Sequence, residues 1–171
     1  MLDRHIFIIG MPGSGKSSLG KRVAGQLHVP YVDTDARISE GTGCTIQQIF
    51  DRYGEQAFRN AETNVLIQLS RETPSLISTG GGMVMREDNR AIMRNHGLIV
   101  LIDRPLEDIL SDIKLDRRPM LAQKGMGEVE RLYYERIETY RRAADYVLDN
   151  SHGYHAGVYG LDKLIRTLFH I

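Results

Sequence analysis

The sequence has a single cysteine and lacks any long hydrophobic run, and both shortages narrow the range of functions. Cys44 has no second cysteine with which to form an internal disulfide, which is the usual state of chains in a reducing compartment. No apolar stretch approaches the roughly 20 residues that span a bilayer, and no signal segment is recognisable at the start. We therefore expect a cytoplasmic protein that does not associate with membranes.

The sequence also lacks net charge and is poor in lysine. Its 22 Lys and Arg residues offset 22 Asp and Glu, so no broad basic surface for nucleic acid is predicted. Only 5 lysines stand against 17 arginines. The planar arginine fork suits bidentate binding of carboxylates and phosphates. Small anionic substrates fit this composition, although drift in base composition would produce the same bias.

The length predicts the domain organisation. A chain of 171 residues is long enough for one domain with a hydrophobic core and short for two. We expect residues 1–171 to form a single domain and the protein to be a monomer.

The most specific pattern is a phosphate-binding loop. Residues 10–17 read Gly-Met-Pro-Gly-Ser-Gly-Lys-Ser and match G-x-x-x-x-G-K-[ST] directly after the apolar run 5–9. In such a P-loop the backbone N–H groups and the start of the next helix surround an anion, Lys16 reaches the β- and γ-phosphates, and the Ser17 hydroxyl ligates Mg²⁺. The loop predicts binding of ATP and Mg²⁺. The expected nucleotide-binding residues are Gly13, Ser14, Gly15, Lys16, Ser17 and Ser18.

Strands and helices are predicted to alternate along the chain. Apolar runs indicate strands at 5–9, 28–33, 76–78, 98–102 and 146–148, and helical periodicity indicates helices between them. Thr45 and Gln48 form a capping-box signature for a helix that ends at Gly54, after which a second helix runs toward Pro74. Residues 114–127 lack periodicity and are expected to form a mobile lid. The pattern predicts a doubly wound, three-layer α/β/α P-loop fold with a mainly five-stranded parallel sheet.

Polar residues follow the predicted strands, where ligands of such sheets bind. Asp33 and Asp35 follow the second strand and, two residues apart in an extended segment, point the same way. Asp33 suits a Mg²⁺ shell, and Asp35 suits the orientation or deprotonation of an acceptor hydroxyl. Either aspartate could instead cap the following helix. The run Gly80-Gly81-Gly82 after the next strand indicates a close backbone approach.

Six segments occur in order across almost the whole chain: 10–17, Asp33-Thr34-Asp35, Phe58-Arg59-x-x-Glu62, 78–82, Arg117-Arg118-Pro119-Met120-Leu121 and Arg136-x-x-x-Tyr140. Together they resemble the shikimate kinase family.

The resemblance implies the activity and a role for each matching residue. The family phosphorylates the 3-hydroxyl of shikimate with ATP, so the small molecule shikimate is the expected partner. The residues matching Arg59 and Arg136 bind its carboxylate, and Gly80, Gly81 and Gly82 line the same pocket. Asp35 binds the acceptor hydroxyls and assists the attack, Asp33 contributes to the Mg²⁺ environment, and Arg118 closes over the phosphates. The expected catalytic residues are Lys16, Asp35 and Arg118, and the substrate-binding helices span about 34–70.

The residues alone leave other interpretations open. Arg59 could pair with Glu55 and Glu62 on a helix surface, and Arg136 lies in a helix crowded with arginines. Where many family members have proline two residues after the second arginine, this chain has Glu138.

The segment that precedes the last helix also departs from the family. Residues 149–154 contain no proline, so no residue is assigned to adenine. His152, Tyr154 and His155 could stack on a base or face solvent.

Two other functions fit the P-loop. One is a kinase of another small metabolite, such as gluconate or a nucleoside monophosphate, and the other is a regulatory nucleotide-binding module without turnover. Phosphorylation of shikimate is the function that the whole set of residues favours.

Overall fold

The computed structural model describes residues 2–114 and 125–171 and contains one parallel sheet of five strands. The strands are β1 (His5–Ile9), β2 (Tyr31–Asp33), β3 (Leu76–Ser78), β4 (Gly97–Asp103) and β5 (Tyr146–Asp149). The helices in these ranges are α1 (Lys16–Leu27), α2 (Thr34–Thr42), α3 (Ile46–Leu69), α4 (Glu87–His96), α5 (Leu106–Lys114), α6 (Met126–Ala143) and α7 (Tyr154–Phe169). A short 3₁₀ turn covers Met83–Met85. The predicted α/β fold is confirmed.

The strand order β2-β3-β1-β4-β5 explains why the polar strand ends meet. All neighbouring strands are parallel, so their carboxyl ends lie at one edge of the sheet. In register, Ser78 of β3 lies between Asp33 of β2 and Ile8 of β1. The segments that follow β1, β2 and β3 therefore start side by side.

Alternating residues of the central strands build the two halves of the core. Phe7 and Ile9 of β1 pack on one face with helices α2 to α6, whereas Ile6 and Ile8 pack on the other face with α1 and α7. Helices thus cover both faces of a sheet in which strands β1 and β3 are buried along their whole length, as is typical of parallel sheets. This arrangement is the predicted three-layer sandwich.

Local signals set most of the helix boundaries. The capping box forms at Thr45, whose side chain accepts from the Gln48 backbone while the Gln48 side chain accepts from the Thr45 backbone. Gly54 ends the first helix as predicted, because its φ of 80° and ψ of 172° are non-helical; a second helix begins directly after it, so the range α3 holds two helices joined at a kink. His28, expected at the start of a strand, instead ends α1 at φ 53°, and β2 begins only at Tyr31.

The predicted lid lies mostly outside the described residues. Residues 115–124, which include Arg117 and Arg118, are not part of the described ranges. The ends of the predicted segment 114–127 need correction, because Lys114 belongs to α5 and α6 begins at Met126. Within the described residues, no helix is long and apolar enough to cross a bilayer.

Candidate active site

The P-loop joins β1 to α1, and its three glycines, Gly10, Gly13 and Gly15, all have positive φ. Gly15 forms the N-cap of α1 with φ 103°, and Gly10 has φ 145°. A methyl group added at Gly10 would lie 2.7 Å from the Ile102 carbonyl oxygen, so a side chain is excluded there by backbone as well as by conformation. The N–H groups of the first turn of α1 have no partner within the helix and form an anion site.

The P-loop lysine is nearly buried. Its Nζ donates to the carbonyl oxygens of Gly10 and Met11 at 2.9 and 2.8 Å, which holds the positive charge against the loop. The Ser18 hydroxyl donates to the Gly15 carbonyl at 3.0 Å, and Ser14 is fully buried. The predicted nucleotide-binding residues therefore lie in one compact turn.

Ser17 and Asp33 lie together at the strand ends. The Ser17 hydroxyl donates to Asp33 Oδ2 at 2.8 Å and lies 3.1 Å from the Ser78 hydroxyl. The other Asp33 oxygen caps α2 by accepting from the backbone N–H groups of Asp35 and Ala36. The capping alternative is therefore correct for Asp33, and the same carboxylate also faces the P-loop. The two side chains offer oxygen donors, which Mg²⁺ prefers.

Asp35 is a second half-buried carboxylate of the site. Its Oδ1 atom is buried and has no hydrogen-bond partner among the described residues. Burial is the main cause that raises the pKa of Asp35, and the charge of Asp33 raises it further. The charges of Lys16 and Arg59 oppose this increase. Asp35 therefore lies within electrostatic reach of both the P-loop and Arg59.

Arg59 is held by two carboxylates on its own helix. Nη1 donates to Glu62 Oε2 at 2.7 Å, and Nε and Nη2 donate to Glu55 Oε1 at 3.3 and 3.2 Å. The helix ion pairs considered as an alternative do form. They are not ordinary surface pairs, because the side chains of Arg59 and Glu62 are only 18% and 1% exposed. Burial raises the pKa of Glu62, and the Arg59 guanidinium counteracts this shift.

The glycine run packs directly against these side chains. A methyl group added at Gly80 would lie 2.8 Å from Asp35 Oδ1 and 2.9 Å from Glu62 Oε1, and one added at Gly82 would lie 2.7 Å from Arg59 Cζ. Close approach was predicted, but the space that a Cβ would take is occupied by the protein's own side chains.

The central glycine connects the run to the P-loop and to helix α6. A methyl group at Gly81 would lie 2.9 Å from Pro12 Cδ. The Gly81 carbonyl accepts a 2.6 Å hydrogen bond from the Tyr140 hydroxyl. Burial raises the pKa of Tyr140 to about 12, so this hydroxyl stays protonated and donates at neutral pH.

Arg136 reaches the same region from α6. Its Nε is buried and has no hydrogen-bond partner among the described residues. Glu138, the departure from the family pattern, is exposed and lies 3.6 Å from the Arg141 guanidinium. Glu138 therefore faces Arg141 and does not form an ion pair with Arg136.

Two clefts flank the P-loop and the glycine run. One, of about 490 Å³, contains both predicted carboxylate-binding arginines and is called the acceptor cleft below; its lining residues include Glu55, Arg59, Gly82, Arg86, Glu135 and Arg136. The other, of about 360 Å³, borders the start of α1 and is called the donor cleft; its lining residues include Gly15, Ser18, Arg104, Asn150 and Tyr154.

Sequence reasoning missed two residues that hold the P-loop. Arg104 Nη1 donates to the Gly13 carbonyl at 3.0 Å and to Asp112 Oδ2 at 2.7 Å. Asn150 Nδ2 donates to the Ser14 carbonyl at 2.8 Å. Arg104 directly follows β4, and Asn150 directly follows β5. The rule that ligands bind at the carboxyl ends of the strands, which identified Asp33, could therefore have found them.

Of the three aromatic residues considered for adenine, one lies at the donor cleft. Tyr154 lines it and is partly exposed. His152 and His155 are exposed and do not line this cleft.

A family model, curated relatives and solved structures agree on one family. A family model described as "Shikimate kinase" matches residues 12–166. The chain is 39% identical over 149 residues to a shikimate kinase of Clostridium beijerinckii, covering 87% of each chain. It is 43% identical over 141 residues to one of Synechococcus, covering 81% of this chain and 74% of the relative.

Solved structures agree with these matches. A shikimate kinase from Acinetobacter baumannii in complex with shikimate superposes with a TM-score of 0.85 at 29% identity, covering 98% of this chain and 93% of the other. The shikimate kinase from Bacteroides thetaiotaomicron gives a TM-score of 0.85 at 26% identity and covers 98% and 99% of the two chains.

Proposed function

The chain belongs to the shikimate kinase family, and from this membership we propose that it transfers the γ-phosphoryl group of ATP to the 3-hydroxyl of shikimate, in the biosynthesis of aromatic amino acids. The observation that carries the assignment of roles is the position of Asp35, which interacts with the charges of both Lys16 and Arg59. A hydroxyl bound beside Asp35 would lie between a phosphate donor site and a cleft suited to a carboxylate.

We propose that the P-loop binds the triphosphate. The first N–H groups of α1 and the Lys16 ammonium would contact the β- and γ-phosphates, with Lys16 exchanging its contacts to the loop carbonyls for phosphate oxygens. The donor cleft beside Gly15 is the proposed site for adenine, and Tyr154 and Arg104 border it. Arg118, outside the described residues, is proposed to close over the phosphates and to exclude competing water.

The residues present fit a Mg²⁺ ion. The Ser17 hydroxyl and the Asp33 carboxylate, 2.8 Å apart, would hold it, Ser17 directly and Asp33 directly or through water. Mg²⁺ is commonly bound by few protein oxygens together with substrate phosphates and water, so one hydroxyl and one carboxylate are a sufficient protein contribution. When bound, Mg²⁺ neutralises charge on the transferring phosphoryl group.

We propose that Asp35 orients the acceptor hydroxyl and takes its proton. Its buried Oδ1 has no protein partner among the described residues, so this atom is suited to accept a hydrogen bond from the substrate. The raised pKa of Asp35 makes its carboxylate a better proton acceptor than an exposed aspartate. Most of the rate would still come from positioning and charge stabilisation.

Arg59 and Arg136 are proposed to bind the substrate carboxylate in the acceptor cleft. The contacts of Arg59 with Glu62 and Glu55 fix the guanidinium in one orientation, and the buried Nε of Arg136 lacks a partner among the described residues. Charge-assisted bonds of this kind contribute about 1.5–3 kcal/mol each. Of the glycine run, Gly82 lines this cleft, whereas Gly80 and Gly81 are not among its lining residues.

The proposal is tested by ADP release. The purified chain is assayed with ATP and Mg²⁺, with and without shikimate, and with gluconate or a nucleoside monophosphate in its place. ADP that forms only with shikimate is the expected result. Turnover with another acceptor would favour a different metabolite kinase, and tight ATP binding without ADP from any acceptor would favour a regulatory module.

We also propose that the protein acts as a monomer in the cytoplasm. Sedimentation at assay concentrations tests the monomer, and fractionation of cells tests the location.

A further inference from the structure

The acceptor cleft contains a third arginine, Arg86, that the sequence segments did not single out. Arg86 follows the 3₁₀ turn Met83–Met85 and is the N-cap of α4. It therefore lies four residues beyond Gly82, on the segment that leads away from the glycine run. Its side chain is half-buried.

The hydrogen bonds of Arg86 with the described residues are all made by one nitrogen, and all three go to helix α3. Nη1 donates to the Arg59 carbonyl at 3.1 Å, to Asn60 Oδ1 at 3.0 Å and to Thr63 Oγ1 at 3.3 Å. Nε and Nη2 make no hydrogen bond with the described part of the chain. Arg86 is thus hydrogen-bonded through Nη1 to the turn of α3 that bears Arg59, and its Nε and Nη2 remain as N–H donors beside the cleft.

The charges around the cleft are unevenly compensated. Glu55 is bonded to Arg59, and Glu135 is bonded to Arg131 at 2.8 Å. Over residues 2–114 and 125–171, Arg86 and Arg136 lie in no ion pair. Arg86 and Arg136 therefore carry positive charge that no ion pair with the described residues compensates, and the charge of Arg136 also acts on Glu62. Arg59 already has two carboxylate partners.

We propose that Arg86 is a binding residue of the acceptor cleft, which donates N–H groups and positive charge to the carboxylate of the acceptor while its Nη1 holds the Arg59 turn of α3 in place. This inference rests on the proposed function of the cleft. A guanidinium suits both tasks, because its planar fork can bond to backbone and to a carboxylate at the same time.

A neighbouring residue supplies a matched control. Arg90 also bonds to backbone carbonyls through Nη1, those of Val84 and Met85 at 2.8 and 2.9 Å, but it does not line the acceptor cleft. Arg90→Gln therefore reports the effect of losing structural hydrogen bonds from an arginine alone. Arg86→Gln reports the loss of such hydrogen bonds and of the positive charge in the cleft together. Arg86→Lys keeps the charge but removes the fork.

The experiment measures KM for shikimate and for ATP, Tm, and shikimate binding by calorimetry for the wild type and the three variants. Arg86→Gln should raise KM and Kd for shikimate about tenfold with KM for ATP within twofold. Arg86→Lys should recover part of the loss, and the Arg86→Gln defect should shrink as salt rises, since screening weakens the charge in the wild type. Arg90→Gln should leave the ratio of the two KM values unchanged.

Three results would overturn the inference. The first is a KM for shikimate in Arg86→Gln within twofold of the wild type. The second is an equal rise of both KM values in Arg86→Gln together with a loss of Tm, as in Arg90→Gln. The third is a KM for shikimate in Arg86→Lys as high as in Arg86→Gln. A wild-type chain that releases no ADP with shikimate and does not bind it would instead refute the proposed function, so the two failures are distinguishable.

Discussion

Gly82→Ala should separate acceptor binding from folding. Gly82 has φ −91° and ψ −9°, which alanine adopts without strain. The added methyl group would lie 2.7 Å from Arg59 Cζ and 2.8 Å from Nη2. Because carbon atoms in contact are normally about 3.5 Å apart, the guanidinium must move by about 0.8 Å.

That displacement determines the size of the effect. The bond from Arg59 Nη1 to Glu62 is 2.7 Å long, and a shift of about 0.8 Å is enough to carry it beyond the usual limit of about 3.2 Å. The guanidinium would then leave the orientation proposed for carboxylate binding. Loss of one charge-assisted bond costs about 1.5–3 kcal/mol, which corresponds to a roughly ten- to hundredfold rise in KM for shikimate.

The assay is coupled ADP release at saturating ATP, with KM for ATP and Tm measured in parallel. Gly82→Ala should keep its KM for ATP within twofold and lose a few degrees of Tm as the buried Glu62 loses its partner. Gly25→Ala is the control, because its methyl group would meet nothing within 4 Å and alanine favours helix α1. A Gly82→Ala variant with the wild-type KM for shikimate would refute the placement of Arg59 as an acceptor-binding residue.

Three further predictions concern catalysis and stability. Asp35→Asn should lower kcat at least a hundredfold with little effect on ATP affinity, measured by ADP release and nucleotide titration; an unchanged kcat would remove Asp35 from the proposed chemistry. Lys16→Ala should abolish turnover while the chain stays folded by circular dichroism, and substantial activity would contradict its role. Burial and the charge of His96 lower the pKa of His5 below 6.5, and its Nδ1 accepts from the Ser75 N–H at 3.1 Å. The unfolded chain therefore binds this proton more readily, so the contribution to stability is complete above pH 6.5 and is lost as the pH falls through the folded pKa. His5→Gln should flatten the decline of Tm on acidification, and parallel Tm curves for the two proteins would exclude this origin.

Short-range patterns predicted most of the fold. Strand β1 and the capping box at Thr45 occur as predicted, because each depends on neighbours within a few residues. His28 was misassigned because its apolar neighbours suggest a strand, whereas the end of α1 places it in a left-handed conformation.

The site residues that were predictable from the sequence are those that follow a strand or match a segment of the family. Asp33 shows a limit, since capping α2 and facing Ser17 are compatible roles that the sequence presents as alternatives. Gly82 shows a second limit, because the sequence does not reveal that the space beside its Cα is occupied by the Arg59 guanidinium.

Contacts between distant residues were not predictable. Arg104 reaches the Gly13 carbonyl across 91 positions, and Asn150 reaches that of Ser14 across 136. Arg86 contacts α3 over 23 to 27 positions. Their positions after β4 and β5 mark Arg104 and Asn150 as candidate residues, but their partners depend on how the sheet and helices assemble, and no local pattern encodes those pairings.

The most direct test of the central claim is the identity of the product. The chain is incubated with ATP, Mg²⁺ and shikimate, and ADP is measured while the phosphorylated product is located by ³¹P and ¹H NMR. We predict equal amounts of ADP and shikimate 3-phosphate and no ADP above background when shikimate is omitted. ADP formed equally without shikimate, or phosphate on another hydroxyl, would contradict the proposed function.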